Sequence, residues 1–156
     1  MSSALKVNWT YGFSKNITSG VHSLSVQGRQ AIFYVSSHSG VIYDFENRTQ
    51  MILQGHCNPI TCCAVSADKR WIVTADAGEE PILVVWDSLS GAPVKTIFAP
   101  HANGTRALDI SGDSLYVTTL SEDSNVSVFV VTTHMSTMRL TLHPFIISYY
   151  RETLID

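Results

Sequence analysis

The chain has 156 residues, of which 45% are hydrophobic and 15% charged, and its formal net charge is −3. That balance fits one ordinary folded domain and excludes a disordered chain. The Lys and Arg residues form no basic stripe that would follow a phosphate backbone, and no apolar run is long enough to span a bilayer, so neither nucleic acid nor membrane is expected as a partner.

In chain order, the sequence predicts short strands separated by turns, with no helix before residue 132. Val7–Tyr11 reads as the outer strand of a preceding unit. Trp9, Tyr11 and Phe13 alternate on it, so they are expected to share one face in a core. Val21–Val26 and Ala31–Ser36 follow, joined at Gln27-Gly28-Arg29-Gln30. A turn at His38-Ser39-Gly40 leads to Val41–Asp44, and Glu46-Asn47-Arg48-Thr49 to Gln50–Gln54. The next set is Ile60–Ser66, Trp71–Ala75, Ile82–Asp87 and Pro93–Phe98, with turns at Ala67–Arg70 and Ser88–Gly91 and an acidic loop over Asp76–Pro81. The third is Thr105–Ser111, Ser114–Leu120 and Val126–Val131, with a turn at Gly112-Asp113 and a polar loop over Ser121–Asn125. Gly, Asn, Asp and Ser mark the reversals because they tolerate positive φ or bond to their own backbone. Residues 132–156 admit two readings: an outer strand at Met138–Leu142 with a new unit beginning at Phe145–Tyr150, or a tail that has left the pattern.

The pattern repeats. An aromatic residue followed by Asp closes an apolar run at Tyr43-Asp44 and at Trp86-Asp87, about 43 residues apart, and one further period lands on Phe129, where Asp is missing. The middle copy also opens with Gly55-His56. A Gly-His to Trp-Asp repeat of this length resembles a blade of a WD-repeat propeller, four antiparallel strands stacked radially on their neighbours. The fold class is therefore all-β, an incomplete WD-repeat β-propeller of about three blades over residues 1–131, followed by a divergent tail over 132–156.

In such blades the resemblance implies a buried network of His, an acid in the loop between the second and third strands, a Ser or Thr on the second strand, and Trp. The second blade offers His56, Thr74 and Trp86, with Glu80 the preferred acid and Asp76 the alternative. The third offers His101, Thr118 and Asp123, with Phe129 replacing Trp. The first has Ser36 and Tyr43, but Phe13 stands in the His position and His38 where an acid is expected. These are structural residues, so no catalytic, cofactor-binding or metal-binding residue is assigned.

Other chemistry fails on spacing. Cys62 and Cys63 are strand neighbours and point to opposite faces, so they do not share an ion with His56. No Gly-x-Ser-x-Gly elbow, phosphate-binding loop or EF-hand occurs. Cys57, Cys62 and Cys63 are read as reduced thiols, because Met1–Lys6 lacks the apolar core of a secretory signal. On that reading the Asn-x-Ser/Thr triplets at Asn8, Asn16, Asn47, Asn103 and Asn125 are chance products of a Ser- and Thr-rich composition.

The stretch from Leu53-Gln54-Gly55-His56 through Ser66–Asp76 to Ile82–Asp87, with the opening Leu5-Lys6-Val7-Asn8-Trp9-Thr10-Tyr11-Gly12, resembles the WD-repeat cilia- and flagella-associated proteins of the axonemal radial spoke, subunits of the calmodulin- and spoke-associated complex. The resemblance implies a non-enzymatic scaffold in the cytoskeleton of the cilium or flagellum. Its partners would be other proteins, axonemal radial-spoke or calmodulin-associated complex subunits. Family members carry more blades and are expected to have calcium-binding hands, which this sequence lacks, so it reads as a truncated form that needs further blades or a partner to complete the propeller. The outer faces of the end blades are expected to expose apolar side chains such as Tyr34, Phe129 and Val130. The alternatives are a microtubule-binding WD-repeat protein of the echinoderm type and a general cytosolic adaptor.

Overall fold

The computed structural model describes residues 7–121, 123, 125–130, 138–143 and 146–151. Among these every regular element is a β-strand, and no helix is long and apolar enough to cross a membrane. The strands form three antiparallel meanders, an incomplete propeller. The first sheet is β1 (Val21–Ser23), β2 (Ala31–Ser36), β3 (Ser39–Asp44) and β4 (Thr49–Gln54). The second is β5 (Ile60–Val65), β6 (Trp71–Asp76), β7 (Ile82–Asp87) and β8 (Pro93–Phe98). The third is β9 (Thr105–Ile110), β10 (Tyr116–Ser121), β11 (Val126–Val130), β12 (Met138–His143) and β13 (Ile146–Arg151). Ile146–Arg151 thus opens no new sheet. It pairs with β12 from Met138↔Arg151 to His143↔Ile146 as a fifth strand. The remaining residues of the tail lie outside those described.

Two turns show how the sequence closes its hairpins. The Ser66 hydroxyl and the Arg70 amide both donate to Asp68, while Lys69 takes a φ of 62°. One period later the Ser111 hydroxyl and the Leu115 amide donate to Asp113, and Ser114 takes a φ of 60°. In each, a carboxylate satisfies a turn amide that no strand reaches.

The second sheet is the middle layer, and its sequence shows it. Ile72–Asp76 and Leu83–Trp86 are buried without a break, as expected of strands covered on both faces. Toward the first sheet, Cys63, Ile72, Val84 and Trp86 pack with Leu24, Phe33, Val35, Ile42 and Leu53. Toward the third, Cys62, Val73, Ala75, Leu83 and Val85 pack with Val117, Leu108 and Ile110. The neighbours Cys62 and Cys63 therefore enter two different cores.

Two expectations are corrected. Residues 7–14 form no strand. They cross the outer face of the first sheet as a strap, held where the Thr10 amide donates to Gln50 Oε1 (2.9 Å), Gln50 Nε2 donates to the Thr10 carbonyl (3.1 Å), and the Ser14 amide donates to the Val35 carbonyl (2.8 Å). Without a neighbouring strand to pair with, the alternation of Trp9, Tyr11 and Phe13 builds no core: Tyr11 is 88% exposed and Phe13 64%, and Trp9 sits edge-on against Tyr43. Phe129 is not on an open face either. It is 2% exposed and points inward with Val117, its cross-strand partner. Tyr34 is half-buried, and the Val130 side chain lies outside the description.

Burial pushes the thiols of Cys62 and Cys63 up to about 12, whereas Cys57 is exposed. Native protein treated with iodoacetamide at pH 8 is therefore expected to be alkylated at Cys57 alone, with Cys62 and Cys63 reacting only after denaturation. Mass mapping of the modified peptides checks this.

Candidate functional site

The site is the buried polar network between the first and second sheets. Thr74 and Asp76 lie two apart on β6 and so face the same way, and Trp86 joins that face because it pairs with Ile72. His56 enters from the loop after β4, directly behind Gly55. A Cβ at Gly55 would stand 3.1 Å from Trp86 Cη2, so the residue before the histidine has to be small.

The connections form one chain. Trp86 Nε1 donates to Thr74 Oγ1 (2.8 Å), the Thr74 hydroxyl donates to His56 Nε2 (2.7 Å), and His56 Nδ1 donates to Asp76 Oδ2 (2.7 Å). Asp76 Oδ1 takes the Ile82 amide (2.8 Å), which folds the following loop back onto the carboxylate. This assignment uses a neutral imidazole. His56 does lie below its ordinary 6.5, because burial opposes the imidazolium more than the Asp76 hydrogen bond and charge support it.

Asp76 thus holds the acid position for which the sequence favours Glu80. Glu80 is exposed in the loop, with a φ of 50° before Pro81. The reason is strand length. Strand β6 runs one residue further than expected and pairs Asp76 with Ile60, so the carboxylate points inward with Thr74.

In the third sheet the partner of His101 is Thr119, whose Oγ1 lies 2.8 Å from His101 Nε2, and not Thr118. Thr118 is exposed and Thr119 buried, because Val117, Thr119 and Ser121 share the inward face. Asp123 is exposed and accepts the Ser121 hydroxyl. Ser121 itself occupies the position of Asp76, pairing with Thr105 as Asp76 pairs with Ile60. The Phe129 ring has no N–H to offer, and the Thr119 hydroxyl donates to the Ser127 carbonyl (3.3 Å). In the first sheet the two-residue turn between Ser36 and Ser39 leaves no loop for an acid. His38 is exposed beside the Ser37 hydroxyl, Ser36 Oγ meets Thr10 Oγ1, and Tyr34, in register with Thr74, takes Gln50 Nε2 on its hydroxyl.

Sequence reasoning left two further roles unassigned. The Asp of each aromatic-Asp pair caps the next turn: Asp44 accepts the amides of Glu46 and Asn47, and Asp87 those of Leu89 and Ser90. The Asn47 amide and side chain hold the Asp44 carboxyl below its usual range. Asp87 is also lowered: burial acts upward, but the Ser90 and Leu89 amides and the Arg70 ion pair outweigh it. The repetition of the dipeptide was the signal. Arg29, in contrast, carries no motif. It spans the two sheets, donating to Ser88 Oγ (3.1 Å) and to the Ser88 carbonyl (2.7 Å).

Carboxylate, imidazole and hydroxyl stand here in the order of a nucleophilic triad. The hydroxyl, however, is fully buried and occupied by the Trp86 indole, so no substrate carbonyl reaches it. Among the described residues no three His, Cys, Asp or Glu side chains gather as metal ligands. The network closes an interface between sheets.

Residues 5–144 match the model of the CFAP251 N-terminal domain. The chain is 52% identical over 127 residues to Cilia- and flagella-associated protein 251 of Tetrahymena thermophila, covering 81% of this chain and 13% of that protein. It is 40% identical over 118 residues to the protein of the same name from Chlamydomonas reinhardtii, covering 76% and 14%. Similarity extends to Echinoderm microtubule-associated protein-like 4 of Mus musculus, at 30% identity over 138 residues, covering 81% and 14%. The chain therefore spans about a seventh of the length of these curated relatives.

Substitution Trp86→Ala is expected to cost about 3–5 kcal/mol, since it opens a cavity and removes the indole N–H that Thr74 Oγ1 accepts. Asp76→Ala is expected to cost about 1–3 kcal/mol by leaving two buried donors unpaired, and Glu80→Ala to stay within about 0.5 kcal/mol. Denaturant melts of the three variants rank them, and equal effects at Asp76 and Glu80 would refute the acid assignment.

The lowered His56 also predicts a pH dependence. The unfolded chain protonates this group at higher pH than the folded one, so its contribution is intact above about 6.5 and is lost as pH falls below that value. Burial and Lys69 lower His22 as well, in the same direction. The melting midpoint is expected to drop between pH 7.5 and 5.5, and to keep part of that drop in His22→Gln. A flat midpoint across this range contradicts the neutral network.

Proposed function

This chain belongs to the CFAP251 N-terminal domain family, and from that membership we propose that it is a non-enzymatic interaction scaffold of the cilium or flagellum. The finer reading is a WD-repeat component of the motile axoneme associated with the radial spoke. Its partners are other proteins, subunits of the spoke or of the calmodulin-associated complex. The observation that carries the proposal is the sealing of the Asp76–His56–Thr74–Trp86 chain between two sheets. It devotes the most enzyme-like chemistry of the described residues to rigidity and leaves recognition to loops, edges and open faces.

Completion by further blades is part of the same reading. The third sheet turns Tyr116 and Leu120 outward, large apolar side chains of the kind a next blade would cover. The relatives' greater length is consistent with such blades.

The similarity to Echinoderm microtubule-associated protein-like 4 favours one alternative, direct binding to the microtubule wall. Expression of the tagged chain in a ciliated cell tests both. The tag is expected in the detergent-resistant axoneme and is expected to be lost from axonemes that lack radial spokes. Retention in spokeless axonemes, together with co-sedimentation on bare microtubules, supports the alternative. A tag confined to the cell body overturns the ciliary reading.

A further inference from the structure

Among the described residues each sheet ends on an outer strand with one unpaired edge: β4, β8 and β13. Such edges template pairing with other chains unless something blunts them. Strand β8 is blunted, carrying Pro93, which has no N–H, as well as Lys95 and a shift of register between Val85 and Trp86 on its partner. Strand β4 has none of these devices. Thr49-Gln50-Met51-Ile52-Leu53-Gln54 contains no charge and no proline, and it keeps an unbroken register with β3 over its whole length. A groove of about 420 Å³ reaches from this strand across the sheet, lined by Val7, Met51, Gln54 and Leu89 and, away from the edge, by the charged Arg29 and Asp44, among others.

We propose that the free edge of β4 pairs antiparallel with the same edge of a second copy of this chain, joining two first sheets into one continuous sheet. A two-fold axis normal to the sheet keeps faces aligned only if it passes through a residue. Centred on Ile52, it sets Met51 against Leu53 of the second copy and Gln50 against Gln54, apolar with apolar and amide with amide. The absence of charge within the strand suits a self-partner, because no pair in this register sets like charges opposite each other. The nearest cation, Arg48, falls opposite His56 of the second copy and not opposite its own counterpart. Side chains of the added strand would alternate between the two sides of the groove, as in strand addition generally. This dimer does not depend on the ciliary proposal and survives its failure.

The test uses the full chain with Cys57→Ser. Under mild oxidation Ile52→Cys is expected to give a disulfide-linked dimer, since cross-strand partners have Cα atoms within bonding range. Thr96→Cys, on the blunted β8 edge, is expected to stay unlinked. In light scattering the chain should show twice its 17.2 kDa mass, and the double variant T49K/Q54K should need about tenfold more protein to dimerise. A monomeric chain at all concentrations, or equal cross-linking of the Ile52→Cys and Thr96→Cys variants, overturns the proposal. If T49K/Q54K fails to fold by circular dichroism, the cross-linking comparison alone decides; if it folds and dimerises as before, the pairing lies elsewhere and the proposal falls.

Discussion

The rest of the structure depends on the Trp86 indole reaching the Thr74 hydroxyl. The ring fills the core between the first and second sheets, and its N–H begins the chain of donors that ends on Asp76. A buried polar network stabilises only when every member is satisfied; with one partner missing it costs more than an apolar core. Here the count closes. The indole, hydroxyl and imidazole each donate once in sequence, and the carboxylate takes the imidazole and the Ile82 amide. The loop after β6, the entry of the chain after β4 and the packing of two sheets are fixed by one set of bonds.

Away from that centre the same positions are filled by weaker chemistry. In the third sheet Ser121 stands for the acid and Phe129 for the indole, and Thr105 Oγ1 and Ser127 Oγ are left buried with no hydrogen-bond partner among the described residues. In the first sheet Tyr34 and Ser36 face outward: Gln50 of β4 donates to the Tyr34 hydroxyl and to the Thr10 carbonyl of the strap, and Thr10 meets Ser36, in place of a histidine loop. The second sheet, covered on both faces, is where the complete network pins a loop. Toward the open sides there is less interface for such a network to close.

Strand positions were legible from the sequence because turn chemistry and period-two burial are local, and the aromatic-Asp repeat located the blades. The misplaced residues share a different cause. Thr118 and Thr119 are adjacent threonines, and choosing between them requires knowing which face of β10 meets the second sheet; a one-residue error reverses every side chain. The length of the loop over residues 76–81 favours Glu80 as the acid, whereas β6 extends by one residue to bring its own last side chain, Asp76, inward. Trp9, Tyr11 and Phe13 alternate as a strand should, but alternation becomes a strand only where a neighbour offers hydrogen bonds. The Arg29–Ser88 link joins residues far apart in sequence and leaves no local trace.

A triad-like order of groups is therefore poor evidence of catalysis on its own. Accessibility decides: the same acid, imidazole and hydroxyl that would activate a nucleophile in a cleft here hold two sheets in register, because the indole occupies the hydroxyl and no solvent reaches it. Once that chemistry is committed to rigidity, what the molecule offers a partner is backbone and surface. Of the outer edges, β8 is guarded by proline and lysine and β4 is not, although both are equally exposed by topology. That contrast arises within one chain under one solvent, so general solubility does not explain it. An edge left plain beside a guarded one is what pairing requires, and the continuous register of β4 with β3 makes it the straighter template of the two.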